Sequence, residues 1–418
     1  MSWEIILLSI VMLYLTNKLF DLKNLLNPFV FFYLYQTAFC FIALSYCDTR
    51  FPRIPIDPDL KFFIISSYIT TFFGALISRY TFSLMGGKYI RINELIVKNK
   101  LSKPFQLSGL VVFFLGVIFF LIFTYKTGGV IIFADDIEND RITRKAGAGL
   151  YNLLFLAFLL YGYAIILFMK DKTRIVKTIL FLFTAFALIS YGSRAPLLKL
   201  LVATFIIVTI LRQKKLSLNK YFKIGLIIFI LLVVFGAIRS NFQDDRVSFL
   251  SLVGFRSAWR PFVNIQNLQK IFEFFPDKNN FLYGYSYLID FKLFFPGSNP
   301  NFGTYLKSLM DWDFDGGSVT TTFIGLGYLN FGKSAFFIYP FIYGFFFNSV
   351  YQLIAKRSQI KITNFLFLLF FSIGVSGSVS TGLFGTFINN ILFLFFAILT
   401  HVVIKQLFYI KQSLFKLE

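Results

Sequence analysis

The chain's 418 residues are 57% hydrophobic and 21% aromatic, include 61 phenylalanines, and carry a formal net charge of +21. A soluble domain of this size could not bury that much phenylalanine, and apolar runs of about 20 residues, the length that crosses a bilayer as a helix, recur throughout. The lone His401 and the pair Cys40 and Cys47 rule out two-histidine metal sites and a cysteine framework. The lysines gather in short loops between apolar runs, which is the positive-inside pattern rather than a nucleic-acid-binding footprint.

The first apolar run, Ile5–Leu15 with its flanks, is followed by Asn17-Lys18 and not by a small-residue cleavage site, so it reads as the first span, 3–19, and not a signal peptide. Further spans are predicted over 27–46, 60–85, 105–124, 150–169, 175–191, 195–211, 222–238, 333–354, 363–380 and 384–404. The expectation is an all-α, polytopic integral membrane protein with about 11 transmembrane helices. It forms a single transmembrane domain, 1–418, with one long extracytoplasmic loop, 239–332, that contains short helices. Lysine and arginine follow spans three, five, seven, nine and eleven, which puts those loops in the cytoplasm and the N-terminus outside.

The opposite side receives three features: the loop 125–149, the turn Gly192–Pro196 between two spans, and the long segment 239–332. From Arg239 to Val319 that segment has eight basic and eight acidic residues, so the positive excess lies elsewhere. Its first four cations, Arg239, Arg246, Arg256 and Arg260, are all arginine. Arginine offers a planar fork for phosphate oxygens, where lysine is a hydrated point charge. With Arg141, Arg144 and Arg194 on the same side, the pattern points to a bound oxyanion; the plainer reading is arginines snorkelling to lipid headgroups. Pro261 follows Arg260, so a helix is expected to begin there, its amides adding to the anion site.

The stretch "FLYGYSYLIDF", 281–291, places Tyr285 among rings that stack on sugars or belong to an interfacial aromatic belt. Asp290 follows it among apolar residues, where burial would raise its pKa into a range useful for a general base. "DWDFD", Asp311–Asp315, is read as a solvated acidic turn rather than a cation site. "GGSVTTTFIGLGYLNFG", 316–332, is too polar and glycine-rich for an ordinary span and predicts a broken or re-entrant segment. Gly374, Ser378 and Gly382 recur at the spacing of close helix packing. His401 reads as interfacial. No P-loop, HExxH or GxSxG is present.

These segments, in this order, resemble the Wzy-type polymerases of O-antigen and capsule repeat units. The likeness is carried by "YGSRAPLL", the arginine-headed segment, "FLYGYSYLIDFKLFFPG" and "GGSVTTTFIGLGYLNFGKSAF". Gly284–Tyr287 matches a G-x-S-Y stretch. Thr322–Gly332 matches a T-x-IGE-x-Y-x-NFG segment, with Leu326 where the family often has Glu.

The resemblance implies a glycosyltransferase of the bacterial inner membrane that needs no metal and no cofactor. It would join undecaprenyl-diphosphate-linked oligosaccharides at the periplasmic or outer face, moving the growing chain onto a new repeat unit. The partners implied are that lipid-linked oligosaccharide, membrane lipid, and chain-length-regulator and flippase proteins, with no nucleic acid. Arg141, Arg194, Arg239, Arg256, Arg260 and Tyr285 are then the expected substrate-binding residues, and Asp290 the expected catalytic base. The alternatives are a flippase for the same lipids, whose spans would need more charge than these carry, and an O-antigen ligase, which would rely on a loop histidine this chain lacks.

Overall fold

A computed structural model describes residues 3–47, 56–98, 101–133, 147–190, 195–212, 249–292, 302–312, 319–356 and 359–414, with isolated positions between them. The side chains of 46–47, 249–260, 383–384, 388–390 and 412–414 lie outside that description. Among the described residues the structure is all-α apart from two three-residue strands, Ile96–Lys98 and Gln359–Lys361.

In chain order the helices are α1 (Trp3–Phe20), α2 (Pro28–Gln36), α3 (Pro58–Leu84), α4 (Lys103–Lys126), α5 (Gly149–Phe168), α6 (Arg174–Ile189) and α7 (Ala195–Leu211). There follow α8 (Phe249–Phe274), α9 (Tyr285–Phe291), α10 (Phe302–Leu309), α11 (Phe323–Phe331), α12 (Ala335–Ile354), α13 (Ile362–Ser376) and α14 (Phe393–Leu414). Among the described residues eight stretches are long and apolar enough to cross a membrane, one of them Phe323–Ile354, which joins α11 to α12; α7 is a shorter apolar helix. The expected span 222–238 lies almost wholly outside the described residues.

Several helix starts follow from local chemistry. Asn27 caps α2 by accepting from the Phe29 amide at 3.0 Å, with Pro28 next in sequence. Asp57 caps α3 ahead of Pro58, and Ser102 caps α4 ahead of Lys103-Pro104. In each case the cap satisfies an amide that has no helical partner, and proline surrenders an N–H that had none.

The chain divides into two compact units. The first comprises Met1–Ile96, Gly254–Ile360 and Phe371–Phe387. Its centre is a backbone-to-backbone crossing of α3 and α12. A methyl group on Gly74 would stand 2.1 Å from the Phe341 carbonyl oxygen, and one on Gly344 would stand 1.9 Å from that of Thr71. Only hydrogen fits at either position. Apolar spans have no water to drive them together, so close packing and buried hydrogen bonds do it instead. One turn along, Asn348 donates to the Ala75 carbonyl at 3.1 Å and accepts from Asn27 at 3.0 Å, and Ser78 pairs with Ser349 at 2.9 Å. The Tyr89 hydroxyl donates to the Phe20 carbonyl at 2.7 Å and accepts from Asn27 at 3.1 Å. Burial pushes that phenol up to about 12.

The second unit comprises Val97–Val253, Lys361–Phe370 and Ile388–Glu418. It repeats the device: a methyl on Gly162 would meet the Phe113 backbone at 2.7 Å, and one on Gly116 the Leu159 amide at 2.7 Å, so α4 and α5 also touch along glycines. Lys177 reaches from α6 to the last carbonyls of α5, those of Leu167 (3.1 Å) and Met169, where a cation complements the helix dipole.

Three expectations need correction. Pro261 lies inside α8 and does not start it. Proline in a helix interior leaves a carbonyl without its usual donor, yet Phe262, Ile265, Leu268, Ile271 and Phe275 form one buried stripe that carries the helix on. The last span begins later than residue 384: short helical turns and a π-helical turn, Phe387–Leu392, precede α14, which runs on to Leu414. His401 is not interfacial. It is buried in the second unit, with Nδ1 3.1 Å from the Ser108 hydroxyl and its ring edge-on to Phe105.

Candidate active site

The candidate site belongs to the first unit and is built from α8 to α11 and the breaks around residues 377–386. Residues 321–330 are buried throughout. The segment enters with Thr322 at φ +59°, a conformation costly for a β-branched residue. Its hydroxyl caps α11 by accepting from the Gly325 amide at 3.1 Å, and its own amide donates to the Ser380 carbonyl at 2.9 Å. Asn264 of α8 donates to the Ser380 hydroxyl (3.1 Å) and accepts from Thr320 (3.0 Å), while Asn267 donates to the Thr320 carbonyl (3.0 Å). The irregular backbone is thus held by buried side-chain amides, as irregular backbone at membrane depth must be.

The second motif locks onto this one through Asn330. The Gly284 amide donates to Asn330 Oδ1 at 2.8 Å. Asn330 Nδ2 donates to the Ser286 hydroxyl at 2.8 Å and to the Leu326 carbonyl at 2.7 Å. Gly284 has φ +92°, which lets the chain turn into α9 immediately ahead of Tyr285. Leu326, standing where a glutamate was expected from the resemblance, packs against the break at Gly382. A methyl at that glycine would lie 2.4 Å from its Cδ2. Gly374, Ser378 and Gly382 are all buried, and the helical turns break at the last of them, where φ is +77°.

Asp290 ends up on the inward face of α9, 7% exposed. Its Oδ1 accepts from the Phe302 amide at 3.1 Å, and Oδ2 lies 3.4 Å from where a Cβ on Gly385 would stand. Burial pushes its carboxyl up from the ordinary range, opposed in part by the Phe302 hydrogen bond. Among the described residues no salt bridge reaches it. Such a carboxylate can accept a proton from a nearby hydroxyl.

Tyr285 lies on the other, exposed face of α9, its ring edge-on to Tyr305 at 6.1 Å. The structure therefore does not bring Tyr285 and Asp290 to one surface. Arg141, Arg194, Arg239 and Arg246 lie outside the described residues; Arg256 and Arg260 belong to the backbone of α8, with side chains outside them. Arg144 pairs with Asp140 at 2.8 Å. Asp313 and Asp315 also lie outside, and Asp311 is exposed. Among the described residues no group of three or more His, Cys, Asp or Glu is placed to hold a metal.

Sequence reasoning missed Asn330, Ser286 and Asn264. The signal available was an asparagine within an otherwise apolar run, which in a buried segment must find partners.

Residues 2–382 match the family model described as "Putative O-antigen polymerase". No curated protein and no solved structure gives a match.

Proposed function

This chain belongs to the O-antigen polymerase family, and we propose that it polymerises undecaprenyl-diphosphate-linked repeat units into O-antigen or capsular polysaccharide at the outer face of the inner membrane. The observation that carries the reading is the Asn330 lock. It ties Gly284 and Ser286 to the segment 322–332 and so fixes the short helix that buries Asp290.

In the proposed reaction the acceptor sugar's hydroxyl attacks the anomeric carbon of the donor. The bond from that carbon to the diphosphate breaks, and undecaprenyl diphosphate leaves with the electron pair. Asp290 takes the hydroxyl proton; its burial favours a pKa nearer to working pH, where a base is most effective. Arg141, Arg194, Arg239, Arg256 and Arg260 are assigned to the developing charge on the diphosphate, since preorganised donors at that point lower the barrier. The assignment needs no metal or cofactor. Tyr285 is left out of this group because its face of α9 is the other one.

The glycan profile of a deletion strain tests the reaction class. A single capped repeat unit supports a polymerase. Loss of all surface glycan would point to a flippase, and lipid-linked polymer that is never attached would point to a ligase. In a reconstituted assay, losing one transition-state donor costs about 10²–10³ in rate. At a bidentate site Arg→Lys fails as Arg→Ala does, because lysine lacks the fork. Full polymer length from Arg→Ala variants at all five positions would remove the arginines from the mechanism.

A further inference from the structure

Helix α9 is amphipathic in the opposite sense from a helix on a water-facing loop. Tyr285, Leu288 and Phe291 recur every third residue on one face and are 43%, 57% and 47% exposed. Ser286 and Asp290 are buried on the other, together with Ile289. A helix between protein and water turns its charged face outward and its apolar stripe to the core. This one turns both of its polar side chains inward and leaves Tyr285, Leu288 and Phe291 outward.

The exposed face is part of a larger surface. Tyr283 precedes it and is 76% exposed, and Phe331, at the end of α11, is 48% exposed. The Tyr287 and Tyr339 hydroxyls hydrogen-bond, and the Phe331 and Tyr339 rings lie 5.9 Å apart, which joins α9 to α12. Next to Tyr339 on α12 stand Ile338, Ile342 and Phe346, an outward i, i+4 stripe on a helix long and apolar enough to span a membrane. The apolar face of α9 therefore continues the stripe that the span presents to lipid. Its end is marked by Lys292, whose ammonium stands 6.0 Å over the Tyr285 ring. A lysine beside a tyrosine is the pairing expected at the edge of the hydrocarbon.

We infer that α9 is seated in the bilayer, with lipid hydrocarbon covering Tyr285, Leu288 and Phe291. The occupant follows from the continuity with α12: the same chains that cover Ile338 and Ile342 extend onto the helix that carries Asp290. The inference rests on the membrane-spanning fold and is independent of the reaction proposed for Asp290. Should that reaction hold as well, the carboxylate lies about one helix diameter, roughly 10 Å, from hydrocarbon. A lipid-linked substrate would then reach it without its tail leaving the membrane.

The test uses the full chain with Cys40 and Cys47 replaced by alanine, reconstituted in phosphatidylcholine vesicles. An environment-sensitive fluorophore is attached at Leu288→Cys, and in separate samples at Phe291→Cys, Ile342→Cys and Ser308→Cys. The expected result is that labels at 288 and 291 are quenched by acyl-chain nitroxide lipid as strongly as the label at 342. They should be quenched by aqueous iodide several-fold less than the label at 308, on an exposed position of α10. Iodide quenching at 288 and 291 equal to that at 308 would overturn the inference by placing α9 in water. Quenching by neither agent would also overturn it, since protein would then cover the face. None of these readouts depends on polymer synthesis, so failure here is distinct from failure of the proposed reaction.

Discussion

Asn330 holds Ser286 through a 2.8 Å hydrogen bond from its Nδ2, while its Oδ1 receives the Gly284 amide, so two segments 44 residues apart in sequence meet at one fully buried side chain. Replacing Asn330 with leucine keeps the branched shape but strands the Gly284 amide and the Ser286 hydroxyl in an apolar setting. A buried unsatisfied group costs about 1–3 kcal/mol. The expected outcome is a lowered melting temperature in detergent together with loss of polymer. Asn330→Asp retains the acceptor for Gly284 and should keep more of both. Identical behaviour of the two variants would argue against the lock.

The glycines of the α3–α12 crossing give a sharper stability test. The obstacles to Gly74→Ala and Gly344→Ala are backbone oxygens, which cannot rotate away as a side chain does. Overpacking costs roughly 1–3 kcal/mol, occasionally more, and these two should fall at the upper end, read as lost monodisperse protein after solubilisation. At Gly382 the obstacle is the movable end of Leu326. Gly382→Ala should therefore be milder and partly relieved by Leu326→Ala. The relief stays incomplete because φ +77° strains any residue with a Cβ.

Much of this architecture was legible. Apolar run length located most helices, while the caps at Asn27, Asp57 and Ser102, each a polar residue just ahead of a proline, were not read from the sequence although cap and proline act within a turn. Pro261 misled, since the same residue suits a first turn or, in membrane proteins, an interior position. What decided the matter was a buried stripe running to Phe275, a tertiary fact. Gly382 was visible as a small residue at helical spacing, but spacing does not report φ. His401 was placed by its position near a span end, and its partner Ser108 lies 293 residues away. Asp290 stood out through its apolar neighbours in sequence. Its hydrogen bond to Phe302 and the contribution of Asn330 could be found only in three dimensions.

Orientation is a separate expectation, resting on the lysine-rich loops. An epitope at Leu95 should be shielded in intact cells and one at Asn280 exposed to protease once the outer membrane is opened. Both residues lie in non-helical stretches, so insertion disturbs no helix. The reverse accessibility would turn the site to the cytoplasm and remove the proposed outer-face reaction.

The last prediction concerns acid. Burial raises the Asp290 carboxyl, so its folded pKa lies above its unfolded value. For a group shifted this way the native state binds the proton more tightly than the unfolded chain. Its contribution to stability is full below the unfolded pKa, near 3.9, and is lost as pH rises through the folded pKa. Activity runs the other way, because a base must be deprotonated. In proteoliposomes, polymerisation should rise with pH along a limb displaced upward from the ordinary carboxylate range, over the same interval in which thermal stability falls slightly. Asp290→Asn removes the charge but keeps the shape. It should abolish polymerisation and flatten the pH dependence of stability across that interval, without lowering the melting temperature at neutral pH. Asp290→Glu lengthens the arm by one methylene beside Gly385 and should retain a trace of activity with the limb still present. An unchanged pH–activity limb in Asp290→Asn, at wild-type rate, would assign the base elsewhere and leave Asp290 as the residue that anchors Phe302.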